Sequence, residues 1–273
     1  MFTEITSSSN RKIKEVIKLR DGKYRRSSGR FLIDGIREIQ RAFRCGINIL
    51  EVFGNKETID GFSKTFGKNV LPTNQFYLVS NTLLEKISFG DRNEGIVVVA
   101  EIPKEPAKLF ELKICSVPVP LLAVLERIEK PGNSGAVFRS ADGAGLDGII
   151  VADSIADLYN PNTIRSSLGT VFQIPHATMD SVSAIDWLRQ HKIRCAVARC
   201  NGMISYTDYD FCQPAAIVLG NEADGLSDIW NGNDMTTISL PMCGIADSLN
   251  VSNAAAVLFY EARRQRMQRI KNR

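Results

Sequence analysis

The stretch Thr236-Thr-Ile-Ser-Leu-Pro-Met-Cys-Gly-Ile-Ala-Asp-Ser-Leu-Asn-Val-Ser252, running on through Asn253 to Glu261, decides how this chain is read. Its β-branched start reads as a strand, Thr236–Leu240, that ends at Pro241, which cannot continue a hydrogen-bonded ladder. A loop containing Gly244 follows, and a long apolar helix is expected over Ser248–Gln268. Ser248, Asn250 and Ser252 crowd its start. One such residue is an ordinary cap for the free N–H groups of a helix. Three of them after a Pro-Met-x-Gly loop suggest polar groups and backbone amides facing a ligand, with an over-capped helix as the plain alternative.

Working outward, the same design recurs. Apolar strands are expected at Leu121–Leu125, Gly148–Ala152, Arg194–Ala198 and Ala215–Gly220, with helices at Asn133–Gly143, Asn162–Gly169, Ser181–Gln190 and Ser227–Gly232. Short, continuously apolar strands alternating with helices predict a parallel sheet covered on both faces. Such sheets bind ligands beyond the carboxyl ends of their strands. Two further polar motifs fall there. Glu129-Lys-Pro-Gly-Asn-Ser-Gly-Ala-Val-Phe-Arg139 places Asn133 to cap a helix and Arg139 to meet phosphate. Ile217-Val-Leu-Gly-Asn-Glu-Ala-Asp-Gly-Leu226 runs a strand into glycines that let backbone approach a ligand. Taken singly, these fit a surface arginine and an ordinary turn; their order on successive strand ends makes them informative together. The glycines Gly143, Gly145 and Gly148 of Asp142-Gly-Ala-Gly-Leu-Asp-Gly148 have GxGxxG spacing but follow a helix and precede a strand, the reverse of a dinucleotide-binding turn, and no P-loop is present, which argues against nicotinamide or nucleoside-triphosphate chemistry.

The first hundred residues read as a smaller α/β unit: a helix over 10–20 capped by Asn10, with Ile13, Val16 and Ile17 on one face and Lys and Arg on the other, then a loop at Asp21–Arg30. Strands at Phe31–Ile33, Ile47–Phe53, Asn74–Val79 and Gly95–Ala100 and helices at Gly35–Phe43 and Asn81–Ile87 complete it. Pro103, Pro106, Pro118 and Pro120 mark a connector. The expected division is therefore residues 1–105, a linker at 106–118, and 119–273.

Of 273 residues 44% are hydrophobic, yet no apolar run reaches the roughly 20 residues of a membrane span. The N-terminus carries no signal-like segment, so a cytoplasmic protein is expected. Six cysteines without a CxxC pair read as reduced, mostly buried thiols, and with two histidines no metal site is expected. The net charge of +4 hides a division: residues 1–30 hold nine Lys/Arg against three acids, and residues 261–273 hold six against one. Two basic ends on an acidic middle suggest a polyanionic partner, most simply nucleic acid.

The chain closely resembles the SpoU/TrmH-type RNA ribose methyltransferases of the SPOUT superfamily. The likeness rests on Asn133 to Arg139, on Leu219-Gly-Asn-Glu222 with Gly225, on Pro241-Met with Ser248-Leu-Asn-Val-Ser252, and, in the first half, on Asn10-Arg-Lys-Ile-Lys and Arg30-Phe-Leu-Ile-Asp-Gly. The thiostrepton- and nosiheptide-resistance ribosomal RNA methyltransferases are the nearest subgroup. The resemblance implies an α/β SPOUT domain with a deep trefoil knot, a ribosomal-protein-like RNA-binding domain ahead of it, and a homodimer through the C-terminal domain. It implies S-adenosylmethionine bound at Leu219, Gly220, Ile238, Met242, Ser248 and Leu249, with Arg139, Asn133, Glu222, Ser248 and Asn250 as the catalytic set. RNA contacts are expected at Arg11, Lys12, Lys14, Arg25, Arg26, Arg30 and Arg165, with ribosomal RNA preferred to transfer RNA. Ala223 departs from the family, where glycine is common. A transfer-RNA methyltransferase, a non-catalytic RNA-binding or ribosome-assembly factor on the same fold, and a small-molecule α/β enzyme are the alternatives.

Overall fold

The computed structural model describes residues 2–67, 71–90, 94–104, 106–154 and 156–271. They form two compact units. Residues 1–104 with 157–173 make the first, and residues 105–156 with 174–273 the second.

The first unit runs β1 (Thr3–Ile5), α1 (Arg11–Lys18), α2 (Gly22–Ser28), β2 (Arg30–Asp34), α3 (Ile36–Arg44), β3 (Ile49–Gly54), α4 (Lys56–Phe66), β4 (Phe76–Val79), α5 (Asn81–Ile87) and β5 (Ile96–Glu101). Its sheet has the order β1-β4-β3-β5-β2, parallel across β1, β4 and β3 and antiparallel where β5 meets β3 and β2. Ile13, Val16 and Leu19 of the amphipathic first helix pack with Phe53, Tyr77, Leu84 and Val97. The loop expected at Asp21–Arg30 is instead mostly α2. Asp21 caps it by accepting from the Tyr24 N–H, and Gly29 ends it at φ +66°, a left-handed stop suited to glycine.

The second unit runs α6 (Pro106–Ile114), β6 (Leu121–Glu126), α7 (Pro131–Ala144), β7 (Gly148–Ala152), then, after α8 (Pro161–Ser166), β8 (His176–Met179), α9 (Ser181–Gln190), β9 (Arg194–Ala198), β10 (Ile204–Ser205), β11 (Ala215–Leu219), β12 (Met235–Ser239) and α10 (Val251–Lys271). All seven strands are parallel, in the order β10-β12-β9-β11-β6-β7-β8. The chain leaves β6 toward β7 and β8 on one side and builds β9 to β12 on the other. The junction of β6 and β11 is thus a switch point, where a crevice is expected.

Two expectations about organisation change here. The stretch 106–118 is not a bare linker, because Phe110 and Ile114, one helical turn apart, sink into the core of the second unit with Leu122, Val124 and Ile150. Helix α8 lies in the second half of the sequence but packs with β2 in the first unit. There Asp157 pairs with Arg25, and Tyr159 lies 4.9 Å from Phe31 between ring centres.

Three of the six basic side chains of the C-terminus are occupied. Arg264 pairs with Glu261, Arg269 donates to the Cys212 carbonyl, and Arg266 donates to the carbonyls of Val119, Pro120, Phe211 and Gln213. Of the cysteines only Cys195 is buried, which pushes its thiol up to about 12; Cys115, Cys200 and Cys243 are exposed.

Candidate active site

The loops after β6, β9, β11 and β12 enclose a cleft of about 570 Å³ at the carboxyl edge of the second sheet, within the size range of small-molecule sites. The β11 loop is the tightest piece. Asn221 and Gly225 exchange backbone N–H···O bonds of 3.1 and 3.0 Å, and the Asn221 side chain accepts from the Ala223 and Asp224 N–H groups. A Cβ on Gly220 would lie 2.4 Å from the Gly225 carbonyl carbon, so only glycine allows this closure. Asn221 Nδ2 donates to the Arg127 carbonyl at 2.9 Å and ties this loop to the one after β6.

Helix α7 starts two residues earlier than expected, with Pro131 in its first turn, where a missing N–H costs nothing. Asn133 is therefore not the cap. Its side chain is free to reach across the cleft, and Nδ2 donates to Glu222 Oε1. Asn250 Nδ2 approaches Asn133 Oδ1 at 3.4 Å, which fixes the orientation of the Asn133 amide from both ends. Asn250 precedes α10, which begins at Val251 rather than Ser248; its Oδ1 accepts from the Ser252 N–H at 2.9 Å. Ser248 and Leu249 are left in the exposed loop that rims the cleft.

Leu219, Gly220, Ile238, Met242, Ser248 and Leu249 all line this one cleft, as do Glu222 and Asn250. Arg139 does not. It is exposed on α7, and its side chain makes no hydrogen bond or ion pair with the described residues. Six positions on a helix amount to about 240° of turn, which carries its side chain away from the face of Asn133. Ala198, Arg199 and Cys200, at the end of β9, and Asp224 and Asp247 also line the cleft and were not expected. The sequence signal for the β9 set was its position alone, the end of a central parallel strand.

The residues expected to meet RNA divide. Arg11, Lys12 and Arg30 gather with Glu15, Tyr24 and Ser28 around an open cleft of the first unit. Arg11 pairs with Glu15 at 2.8 Å and Lys12 with Glu51, while Arg30 is exposed. Lys14 and Arg26 are exposed as well. Arg25 is a correction: it is 1% exposed, bonded to Asp157 and to the carbonyls of Leu19 and Arg20, because its position on α2 faces inward. Arg165 is half-buried and donates to the Phe89 carbonyl, beside Asp34.

Parallel strands, a switch-point cleft and a rim of Asn, Ser and Glu define an α/β protein that holds a small molecule at its sheet edge. Residues 120–260 match the SpoU rRNA Methylase family and residues 10–98 the MRM3-like substrate binding domain. The chain belongs to the SpoU rRNA methylase family. It is 34% identical over 255 residues to the 23S rRNA (uridine(2479)-2′-O)-methyltransferase of Streptomyces viridochromogenes, covering 89% of this chain and 85% of that one. It is 27% identical to the 23S rRNA (guanosine(2553)-2′-O)-methyltransferase RlmP of Bacillus subtilis, over 95% and 99% of the two chains. Among solved structures, the SpoU methyltransferase AviRb of Streptomyces viridochromogenes in complex with AdoMet superposes with a TM-score of 0.83 at 30% identity, over 94% of this chain and 98% of that one.

Proposed function

We propose that this chain is an S-adenosylmethionine-dependent methyltransferase that modifies a ribose 2′-hydroxyl of ribosomal RNA. The observation that carries this reading is the convergence of Asn133, from the first turn of α7, on Glu222 and Asn250, which line a cleft of a size that suits the cofactor. Apolar Leu219, Ile238, Leu240, Leu249 and Leu258 offer a wall to an adenine ring, and Glu222, Asp224 and Asp247 offer carboxylates to a cationic donor. When bound, S-adenosylmethionine supplies an electrophilic methyl group on its sulfonium.

The chain's own residues then have two tasks. A ribose hydroxyl is a weak nucleophile that must be held in line, and its proton needs an acceptor. Glu222 offers a second carboxylate oxygen beyond the one engaged by Asn133, while Ser248 and Asn250 supply neighbouring hydrogen-bonding groups. A guanidinium stays protonated at neutral pH, so Arg139 serves as a clamp on RNA phosphate that orients the hydroxyl, with proton loss late. Arg11, Lys12 and Arg30 give the first unit a basic cleft for the RNA backbone, joined by exposed Lys14 and Arg26. Arg165, with one N–H already committed to Phe89, is assigned a minor part.

The family plan of a homodimer through the second unit is supported by Val257, Tyr260, Met267 and Ile270, apolar side chains left exposed along α10. A deep trefoil knot is supported by the return of α10 onto α7 and by the grip of Arg266 on the segments that open β6 and β11. A ribosomal-protein-like character for the first unit and a cytoplasmic site of action complete the reading. No helix among the described residues is long and apolar enough to cross a membrane. The deciding experiment is transfer of labelled methyl groups to 23S ribosomal RNA and, separately, to transfer RNA, with ribose-methylation mapping in cells with and without the protein. Incorporation into 23S RNA at one lost site supports the reading; none into either RNA leaves a binding factor and overturns it.

A further inference from the structure

Glu126, the last residue of β6, is 1% exposed, and no Lys, Arg or His side chain pairs with it among the described residues. Burying a carboxylate costs several kcal/mol unless hydrogen bonds replace its water. Here they come from outside its own strand. Oε2 accepts the Ser227 N–H at 2.9 Å and Oε1 the Ser227 hydroxyl at 2.5 Å; the Ser181 hydroxyl, 3.1 Å from Oε1 and 2.5 Å from Asp153 Oδ2, shares its one proton between the two carboxylates. Ser181 opens α9, and Ser227 closes the β11 loop.

The same peptide is held from its other side. Arg199, at the end of β9, donates Nη1 to the Leu226 carbonyl at 3.1 Å and Nη2 to the Ser227 carbonyl at 2.9 Å. An anion takes the donors of this short segment, and a cation takes its acceptors. The held segment follows Gly225, whose backbone pairs with Asn221 and closes against Gly220. Glu126, Ser181 and Ser227 do not line the cleft, so any effect they have on a ligand there passes through the loop.

We propose that Glu126 is a positioning residue whose carboxylate fixes the Gly220–Ser227 loop in the shape that receives S-adenosylmethionine. This rests on the reading of the cleft as the cofactor site. Glu126→Gln is the informative change. The amide keeps the size, and its oxygen can still take the Ser227 N–H, but its NH2 group faces hydroxyls that had been donors. Ser227→Ala removes one of the three bonds with little disturbance and decides the matter should the first variant not fold.

The full-length chain is assayed for cofactor affinity by calorimetry, for KM of cofactor and of RNA, for kcat and for melting temperature. Glu126→Gln is expected to weaken S-adenosylmethionine binding about tenfold, the loss of one buried charged hydrogen bond. The KM for RNA and the kcat at saturating cofactor should stay within about threefold. Ser227→Ala should shift affinity the same way by about threefold. Folded variants that bind the cofactor like the parent overturn the proposal, and so does a parallel fall in kcat and RNA affinity. Gly220→Ala separates the two levels. If it binds the cofactor normally, the cleft assignment fails and this inference with it; if it alone loses binding, only the role of Glu126 fails.

Discussion

Asn133 donates to Glu222 across 89 positions of sequence, from the first turn of α7 to the loop after β11. The bond commits one carboxylate oxygen and leaves the other free for a substrate hydroxyl. Glu222→Gln should therefore keep the loop in place yet lower the single-turnover rate of methyl transfer about 100-fold, the scale of losing a proton acceptor. Cofactor affinity should change by less than about threefold, since the isostere preserves packing. An unchanged rate would remove Glu222 from the chemistry.

Arg139→Ala should abolish methylation while S-adenosylmethionine binding survives, because Arg139 stands outside the cleft. Arg139→Lys should recover RNA affinity only in part, since an ammonium cannot make the two-pronged phosphate contact of a guanidinium. Calorimetry with the cofactor and filter binding with RNA separate these effects. Loss of cofactor binding in the alanine variant would reject the assignment.

Asp34, buried at the end of β2, has its carboxyl pushed up to about 6, chiefly by burial. The Phe89 N–H it accepts and nearby Arg165 pull the other way; Glu94 and Glu38 add to the rise. A carboxyl raised in the folded state binds protons that the unfolded chain has already lost. Its contribution is thus fully present below about pH 4 and is lost as pH climbs through 6. Asp34→Asn, which keeps the acceptor for Phe89, should stabilise the protein on the order of 2 kcal/mol at pH 8 and not at pH 4. Urea melts at the two pH values check this, and an equal effect at both would refute it.

Arg266 satisfies four carbonyls from two separate segments. Arg266→Met should cost about 3 kcal/mol through carbonyls left without donors, or roughly 10 °C in melting temperature. RNA affinity of the folded fraction should hold. The opposite pattern, intact melting with weakened RNA binding, would return the basic tail to an RNA-facing role.

Legibility in the sequence followed physical visibility. Gly148–Ala152 and Arg194–Ala198 form strands at the residues expected, because unbroken apolar runs between turn formers admit little else. The strand His176-Ala-Thr-Met179 leaves little mark in the sequence, since an edge strand with one neighbour needs no apolar run. Helix α2 reads as a loop because of its glycines and serines, and α6 hides among prolines, one of which, Pro106, in fact opens it. At the site, the motif loops were readable because Asn, Ser and Gly have few reasons to cluster at strand ends. Glu126, Arg199 and Arg25 were not. Whether a charged side chain is solvated or buried depends on which distant segment folds over it, and composition carries no trace of that. The first two helices show the limit well: Arg11 on α1 is 92% exposed and Arg25 on α2 is 1% exposed, in the same basic stretch of sequence.

The lodging of residues 157–173 in the first unit has a consequence for how this protein could be divided or recombined. The polypeptide changes unit three times, so no single cut yields two self-sufficient pieces. A fragment beginning at residue 105 would carry α8, whose Ile164 is covered in the intact chain, without the strand β2 it packs against. Exchanging the first unit with that of a relative would require transplanting the leading hundred residues and this short inner segment together.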